Sequence, residues 1–122
     1  KNNINSAYDL GYEQQVNLFK KIKEITGSFP SVFDSKDILS SPKSILQKLC
    51  IELDIQFSVK MLNWPKGNRS SDGVWSSHWY KNVVNSDGFM SYKKPSQDLK
   101  KEHIDIFKEC MDHYNYLNSF KV

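Results

Sequence analysis

The sequence predicts an α-rich fold with four or five helices and one strand, and a small all-α domain is the alternative. Apolar residues recur every three or four positions over long stretches, which is typical of amphipathic helices. Glycine and proline interrupt these stretches at only a few points. One short run, residues 31–35, has the composition of a strand between turn-forming residues. The length of 122 residues fits a single domain, residues 1–122.

The first predicted helix runs from about Tyr8 to Thr26. Gly27 follows it as a natural left-handed stop, and Pro30 excludes a simple continuation of the helix. The apolar positions that define this helix are Leu10, Val16, Phe19, Ile22 and Ile25.

The strand prediction covers "SVFDS", residues 31–35, where Val32 and Phe33 precede polar residues. A lone strand leaves backbone N–H and C=O groups without partners, so it normally belongs to a sheet. The other strands are not in this sequence. They would come from missing sequence or from another chain; otherwise "SVFDS" is extended loop.

The most regular helix is predicted to begin after Ser41, a good N-cap, with Pro42 at the first helical position. Its apolar face ends near Leu53. Later segments predict shorter helical pieces and one long final helix. These are one or two turns in "FSVKMLNW", a short helix in "SHWYKNVVNS" that Asp87 and Gly88 close, and a helix from Asp98 to about Phe120.

Composition excludes several classes of function. The net charge of +3 is too small for general nucleic-acid binding, but it is compatible with a local anion site. No apolar run approaches the roughly 20 residues of a membrane span, and no hydrophobic targeting core is present, so a cytoplasmic protein is predicted. Cys50 and Cys110 are predicted to be reduced core residues. A metal site is not expected, because Cys110 and His113 lack a second ligand pair.

The stretch "WPKGNRSSDGVWSSHWY", residues 64–80, contains all three tryptophans of the chain. A phosphate or sulfate dianion needs cations and closely approaching backbone. Lys66 supplies a point charge, Arg69 a planar fork and Gly67 an accessible backbone, while Trp75 and Trp79 are suited to stack on a purine or cover the site from water. This combination predicts a lid that closes over an adenine nucleotide.

Asp72 and Gly73 form a turn signal inside this stretch, which would reverse the chain. The alternative interpretation is structural: the tryptophans anchor an irregular segment against helices, with the cations on the solvent side. His78 lies in the same stretch, but no nucleophile or orienting partner is identifiable for it. No catalytic residue is predicted.

Two longer segments resemble a known family. "FPSVFDSKDILSSPKSILQKLCIELDI" followed by "MLNWPKGNRSSDGVWSSHWYKNVVNSDGF" is similar to the later part of a P-loop sulfotransferase, with wording closest to a bacterial subgroup. The resemblance covers about residues 30–120. It implies a three-layer α/β P-loop fold, of which this chain would be the C-terminal portion. The family's glycine-rich phosphate loop is not in the sequence, and Asp72 precedes Gly73 where the family places the acidic residue after glycine.

The resemblance also implies a ligand, 3′-phosphoadenosine-5′-phosphosulfate, as co-substrate without a metal. It places Lys66 and Gly67 on the 3′-phosphate, with Gly73 and Trp75 shaping the loop, whereas Arg69 is assigned on its chemistry alone. Such a chain would not be catalytic by itself and would need its N-terminal half or a partner chain; the small-molecule acceptor is unknown, and a homo-oligomer is also compatible. The alternative function is a helical binding or interaction module whose loop contacts a protein, a peptide or an anionic ligand.

Overall fold

A computed structural model describes residues 4–96 and 98–122, apart from the side chains of Ser77 and Trp79. The chain divides into two compact units. The described residues up to Asp34 form the first together with Lys94–Val122, and Ser35–Lys93 form the second. The assignment of residues 1–122 to one domain stays a prediction.

The described part of the chain is rich in helix, which confirms the α-rich prediction. Short 3-10 turns lie at Ala7–Leu10, Val59–Met61 and Lys101–His103. The α-helices are α1 (Tyr12–Thr26), α2 (Ser35–Ser40), α3 (Pro42–Glu52), α4 (Ser76–Trp79), α5 (Lys81–Val84) and α6 (Ile104–Asn118).

Two glycines set the limits of α1. Gly11 has a φ of 75°, so the predicted helix from Tyr8 is split into a 3-10 turn and α1. Gly27 has a φ of 78° and donates its N–H to the carbonyl of Lys23 at 2.9 Å, which confirms the predicted left-handed stop.

An aromatic cluster joins α1 to the end of α6 in the first unit. Phe19 of α1 is 5% exposed, with its ring stacked on Phe29 at 5.2 Å between centroids and tilted against Phe120 at 4.9 Å. Tyr116 meets the same ring edge-on at 6.3 Å. These geometries are the favourable ones for aromatic pairs, so the cluster is the main apolar link between the two long helices.

The strand predicted over residues 31–35 requires a correction. Only Val32 pairs, in a single parallel bridge with Lys121, supported by the N–H of Val122 donating to the Val32 carbonyl at 3.1 Å. Ser35 already begins α2. Within the described residues, the extended segment at this bridge is short, because α2 begins three residues after Val32 and α6 ends three residues before Lys121.

The N-terminus of α3 agrees with the prediction, with Ser41 before it and Pro42 at its first position. Both cysteines are buried and free, at 3% exposure for Cys50 and 6% for Cys110, as predicted. Burial raises the pKa of the Cys110 thiol, and the neighbouring Glu109 carboxylate adds to that effect. The Cys110 thiol is therefore protonated at neutral pH. Among the described residues, no helix combines the length and apolar character needed to cross a membrane.

Candidate functional site

The stretch from Trp64 to Tyr80, called the loop below, is closed at its base by a short antiparallel clamp. We call this clamp the neck; it consists of residues 63–67 and 84–88. Its two segments are joined through the backbone, so the loop is held at both ends. The backbone links are a bridge between Asn63 and Gly88, the N–H of Trp64 to the Asp87 carbonyl at 3.1 Å, and the N–H of Gly67 to the Val84 carbonyl at 2.8 Å.

The side chain of Trp64 reinforces the neck. Its Nε1–H donates to the Ser86 hydroxyl at 3.1 Å, and its ring meets Phe89 edge-on at 5.3 Å between centroids. The Ser86 hydroxyl in turn donates to the Val83 carbonyl at 2.8 Å. The structural interpretation of the tryptophans therefore applies to Trp64, which anchors the loop.

Gly88 lets the two sides of the neck approach closely. A Cβ atom at this position would lie 3.1 Å from the carbonyl oxygen of Leu62 and 3.3 Å from Oδ1 of Asn63. Both distances are shorter than ordinary van der Waals contact, so glycine is the residue that fits.

Lys66 and Gly67, the two residues predicted to bind phosphate, both lie in the neck. The Lys66 ammonium forms an ion pair with Asp87 at 3.2 Å, with the two side chains 60% and 73% exposed. Such an exposed pair is screened by water and weak, so a bound anion competes with it at little cost. Gly67 has a φ of 111°, and its N–H is already engaged with Val84.

Arg69 and Gly73 lie at the tip of the loop. Asp72 closes a turn there, since its carboxylate accepts the Arg69 N–H at 2.8 Å and its own N–H donates to the Arg69 carbonyl at 3.0 Å. The Gly73 carbonyl accepts the N–H of Ser76 at 2.9 Å, which begins α4. Within the described residues, the Arg69 guanidinium has no ion-pair partner.

Trp75 is the residue before α4 and is 66% exposed, next to Val74 at 86%. The side chain of Trp79, the third tryptophan, lies outside the described residues. Within the described residues, no hydrogen bond or ion pair joins any two of the five predicted site residues, Lys66, Gly67, Arg69, Gly73 and Trp75. The loop thus places two of them in its neck and three at its exposed end.

Comparison with known proteins identifies the family of this chain. A model of the sulfotransferase domain matches residues 1–121. The chain belongs to the sulfotransferase family. It is also similar to two proteins of Arabidopsis thaliana: branched-chain-amino-acid aminotransferase-like protein 1, 34% identical over 93% of this chain, and protein 2 of that name, 31% identical over 92%. The chain spans 20% of the length of each of these relatives, and no solved structure matches it.

In this sulfotransferase-family chain, the sequence pattern does not predict the partners of the predicted site residues. It predicts Asp87 and Gly88 only as the end of a short helix and assigns no role to Ser86 or Val84. The available signal was the Asp-Gly pair beyond a tryptophan-rich loop, because such pairs often close hairpins. It did not reveal that Asp87 would pair with Lys66 or that Gly67 would use its N–H internally.

Proposed function

We propose that the loop of this sulfotransferase-family chain covers the nucleotide 3′-phosphoadenosine-5′-phosphosulfate in the intact enzyme. The observation that carries the proposal is a loop held firmly at its neck, with cationic and aromatic side chains beyond it. The neck holds the loop in place, while Arg69 and Trp75 remain accessible at the far end of the loop. Long loops of this kind, on a fixed base, are where binding residues gather.

The cations fit a phosphate group in different ways. Lys66 is mostly exposed and weakly paired, so a phosphate dianion can replace Asp87 as its partner. Arg69 offers a planar fork suited to bidentate phosphate contact. Gly67 donates its N–H to Val84, so in this arrangement its part is to shape the neck rather than to donate to the ligand.

Trp75 supplies the apolar part of the proposed lid. With 66% of its surface exposed, the indole ring is free to stack on the adenine base or to exclude water from the phosphates.

The exposed surface of the chain supports the proposal that further polypeptide completes the fold. Several large apolar side chains of the described residues are mostly exposed, among them Ile25 at 73%, Ile51 at 78% and Val59 at 66%. Exposed apolar surface of this kind marks places where other polypeptide packs. The N-terminal part of a longer protein, or a partner chain, is the proposed cover, and it would also supply the sheet and the phosphate-binding floor.

The intact protein offers the direct test. Calorimetric titration with adenosine 3′,5′-bisphosphate should show binding that weakens at least tenfold in the variant Lys66→Ala/Arg69→Ala. The matched control is Lys43→Ala/Lys48→Ala, which removes two exposed cations of α3 and should leave the affinity within twofold. Equal affinity in the loop variant and the wild type contradicts the proposed role of the loop.

The second candidate is a non-catalytic interaction module, and the exposure of Val74 and Trp75 at the loop end favours it. The same titration separates the two functions. An intact protein with no measurable affinity for the bisphosphate supports an interaction module that contacts a protein or peptide.

A further inference from the structure

A polar groove lies beside the neck, on the side formed by α5. Its volume is about 680 Å³, and it lies entirely within the second unit. Its polar lining consists of the side chains of Asn63, Asn82, Asn85, Ser86 and Asp87.

Three asparagine amides dominate the chemistry of this groove. Asn82 and Asn85 are three positions apart, on α5 and directly after it, so they share one face, and Asn63 lies across the neck from them. Among the described residues, none of these side-chain amides has a hydrogen-bond partner. Each amide presents two donors and an accepting oxygen, so together they offer both kinds of hydrogen bond to one ligand.

The remaining wall of the groove is apolar. Phe89 lines it, held in place by the edge-on contact with Trp64, and Leu62 and Met90 extend the apolar surface. A second, apolar groove of about 460 Å³ adjoins the first and shares Phe89 and Met90 with it. An occupant that fits both walls therefore has hydrogen-bonding groups on one side and C–H groups on the other.

The charge of the lining narrows the class of ligand that the groove can bind. Among the described residues that line the groove, only Asp87 is charged, and its Oδ2 already pairs with Lys66. The lining therefore favours a neutral occupant over a charged one, while the unpaired amides disfavour a purely hydrocarbon ligand. Neutral sugars meet both conditions, since each hydroxyl both donates and accepts and the ring face is apolar.

We propose that the groove beside the neck binds a neutral saccharide through Asn63, Asn82 and Asn85, with Phe89 beneath the sugar ring. Its size accommodates more than one sugar ring, since small-molecule sites commonly have volumes of about 300–1,000 Å³. The groove meets the proposed nucleotide contacts only through Asp87, which lines it and pairs with Lys66. Because the asparagine variant and the Lys66/Arg69 variant change different side chains, either proposal can fail while the other stands.

The experiment is a glycan array of neutral mono- to tetrasaccharides, probed with the intact protein and read against the linker without sugar. Binding to one or more saccharides is expected, and Asn82→Ala/Asn85→Ala should weaken the tightest of these interactions at least tenfold by titration. The control Asn17→Ala/Asn115→Ala removes two exposed asparagines of the first unit and should stay within twofold of wild type.

Two further measurements show whether the effect of the groove variant is specific to saccharide binding. The groove variant should retain the wild-type melting temperature and the wild-type affinity for adenosine 3′,5′-bisphosphate, since both asparagine side chains are exposed and lie outside the loop. Binding of no saccharide above the linker, or equal binding by the groove variant and the wild type, overturns the saccharide proposal.

Discussion

Ile55 donates its backbone N–H to the carbonyl of Cys50 at 2.9 Å, which closes the C-terminus of α3. Inside this bond, the N–H of Asp54 donates to the carbonyl of Ile51 at 3.2 Å. The two bonds form a Schellman motif, in which the residue that donates the inner bond adopts a left-handed conformation. That residue is Asp54, with a φ of 51°, and it is the single non-glycine residue with positive φ in the described part of the chain.

The first prediction is that Asp54→Gly stabilises the protein. An L-residue in the left-handed region costs roughly 1–2 kcal/mol, and glycine avoids this cost while losing some entropy on folding. The free energy of unfolding should therefore rise by up to about 1 kcal/mol. Urea unfolding followed by tryptophan fluorescence measures it, because all three tryptophans lie in the same unit as Asp54.

A glycine substitution elsewhere in the same unit serves as the control for this prediction. Lys48 is an exposed residue within α3 and has ordinary helical backbone, so Lys48→Gly has no strain to relieve and should lower the stability. An equal gain in stability from both substitutions would contradict the explanation by backbone strain.

The second prediction concerns the loss of folding stability at acidic pH. The Asp9 carboxylate accepts the backbone N–H groups of Asn5 at 2.9 Å and of Ser6 at 3.1 Å. These bonds hold the pKa of Asp9 below its ordinary value of 3.8, and the bond from Asn5 has the larger effect. Because the folded pKa is the lower one, the stabilisation is present above pH 3.8 and is lost as the pH falls through the folded value.

Asp9→Asn should therefore lower the melting temperature at pH 7 and have little effect near pH 2. Melting curves measured by circular dichroism across this range give the difference between variant and wild type. Asp112→Asn is the control, since its exposed carboxylate accepts no backbone hydrogen bond within the described residues. A difference for Asp9→Asn that does not shrink towards low pH would disprove the assignment.

The third prediction tests the aromatic cluster. Phe19→Ala removes the buried ring that contacts Phe29, Phe120 and Tyr116, and should cost about 3 kcal/mol of unfolding free energy. Leu18→Ala is the control: Leu18 is adjacent on α1 but 61% exposed, so the loss should stay within about 0.5 kcal/mol. Hydrogen exchange of the α1 and α6 amides measures both effects. Comparable loss of protection in the two variants would show that the cluster does not link the helices.

Local signals explain which elements the sequence predicted well. Pro42 and Gly27 act within one helical turn of themselves, so they predict the start of α3 and the end of α1, whereas the Ser41 side chain makes no capping hydrogen bond. The split at Gly11 was missed, because the apolar spacing continues across it while the backbone φ of 75° does not.

Non-local pairing explains what the sequence did not predict. The composition of residues 31–35 favours extended backbone, but the length of a strand depends on its partner, and here only Lys121 is available within the described residues. The neck is similar: Lys66 and Asp87 are 21 positions apart, and nothing local in either segment specifies their ion pair.

The fourth prediction concerns the backbone of the neck. Gly67 has a φ of 111°, which L-residues rarely adopt, although a Cβ there would meet no atom within 4 Å. Gly67→Ala should therefore cost about 1–2 kcal/mol through backbone strain alone. Gly73→Ala is the control in the same loop, since it has neither a positive φ nor a neighbour within 4 Å of the added Cβ. Unfolding in urea compares the two; equal stability of both variants would show that the neck tolerates an L-residue at Gly67.

The final prediction tests the nucleotide proposal through the ion pair between Lys66 and Asp87. The test is whether loss of the pair strengthens or weakens nucleotide binding. If Lys66 must leave Asp87 to bind phosphate, Asp87→Asn removes the competitor and should tighten binding of adenosine 3′,5′-bisphosphate. The pair is mostly exposed and is worth about 1 kcal/mol at most, so the gain should reach no more than about fivefold.

Calorimetric titration of the intact protein measures this gain, with Asp112→Asn as a control for the equal change in net charge. The control should leave affinity within twofold, because Asp112 lies in the first unit and away from the loop in sequence. Weaker binding in Asp87→Asn would mean that Asp87 holds Lys66 in its binding position rather than competing for it. The phosphate would then approach a preformed ion pair, and the role of Lys66 as the primary phosphate ligand would be lost.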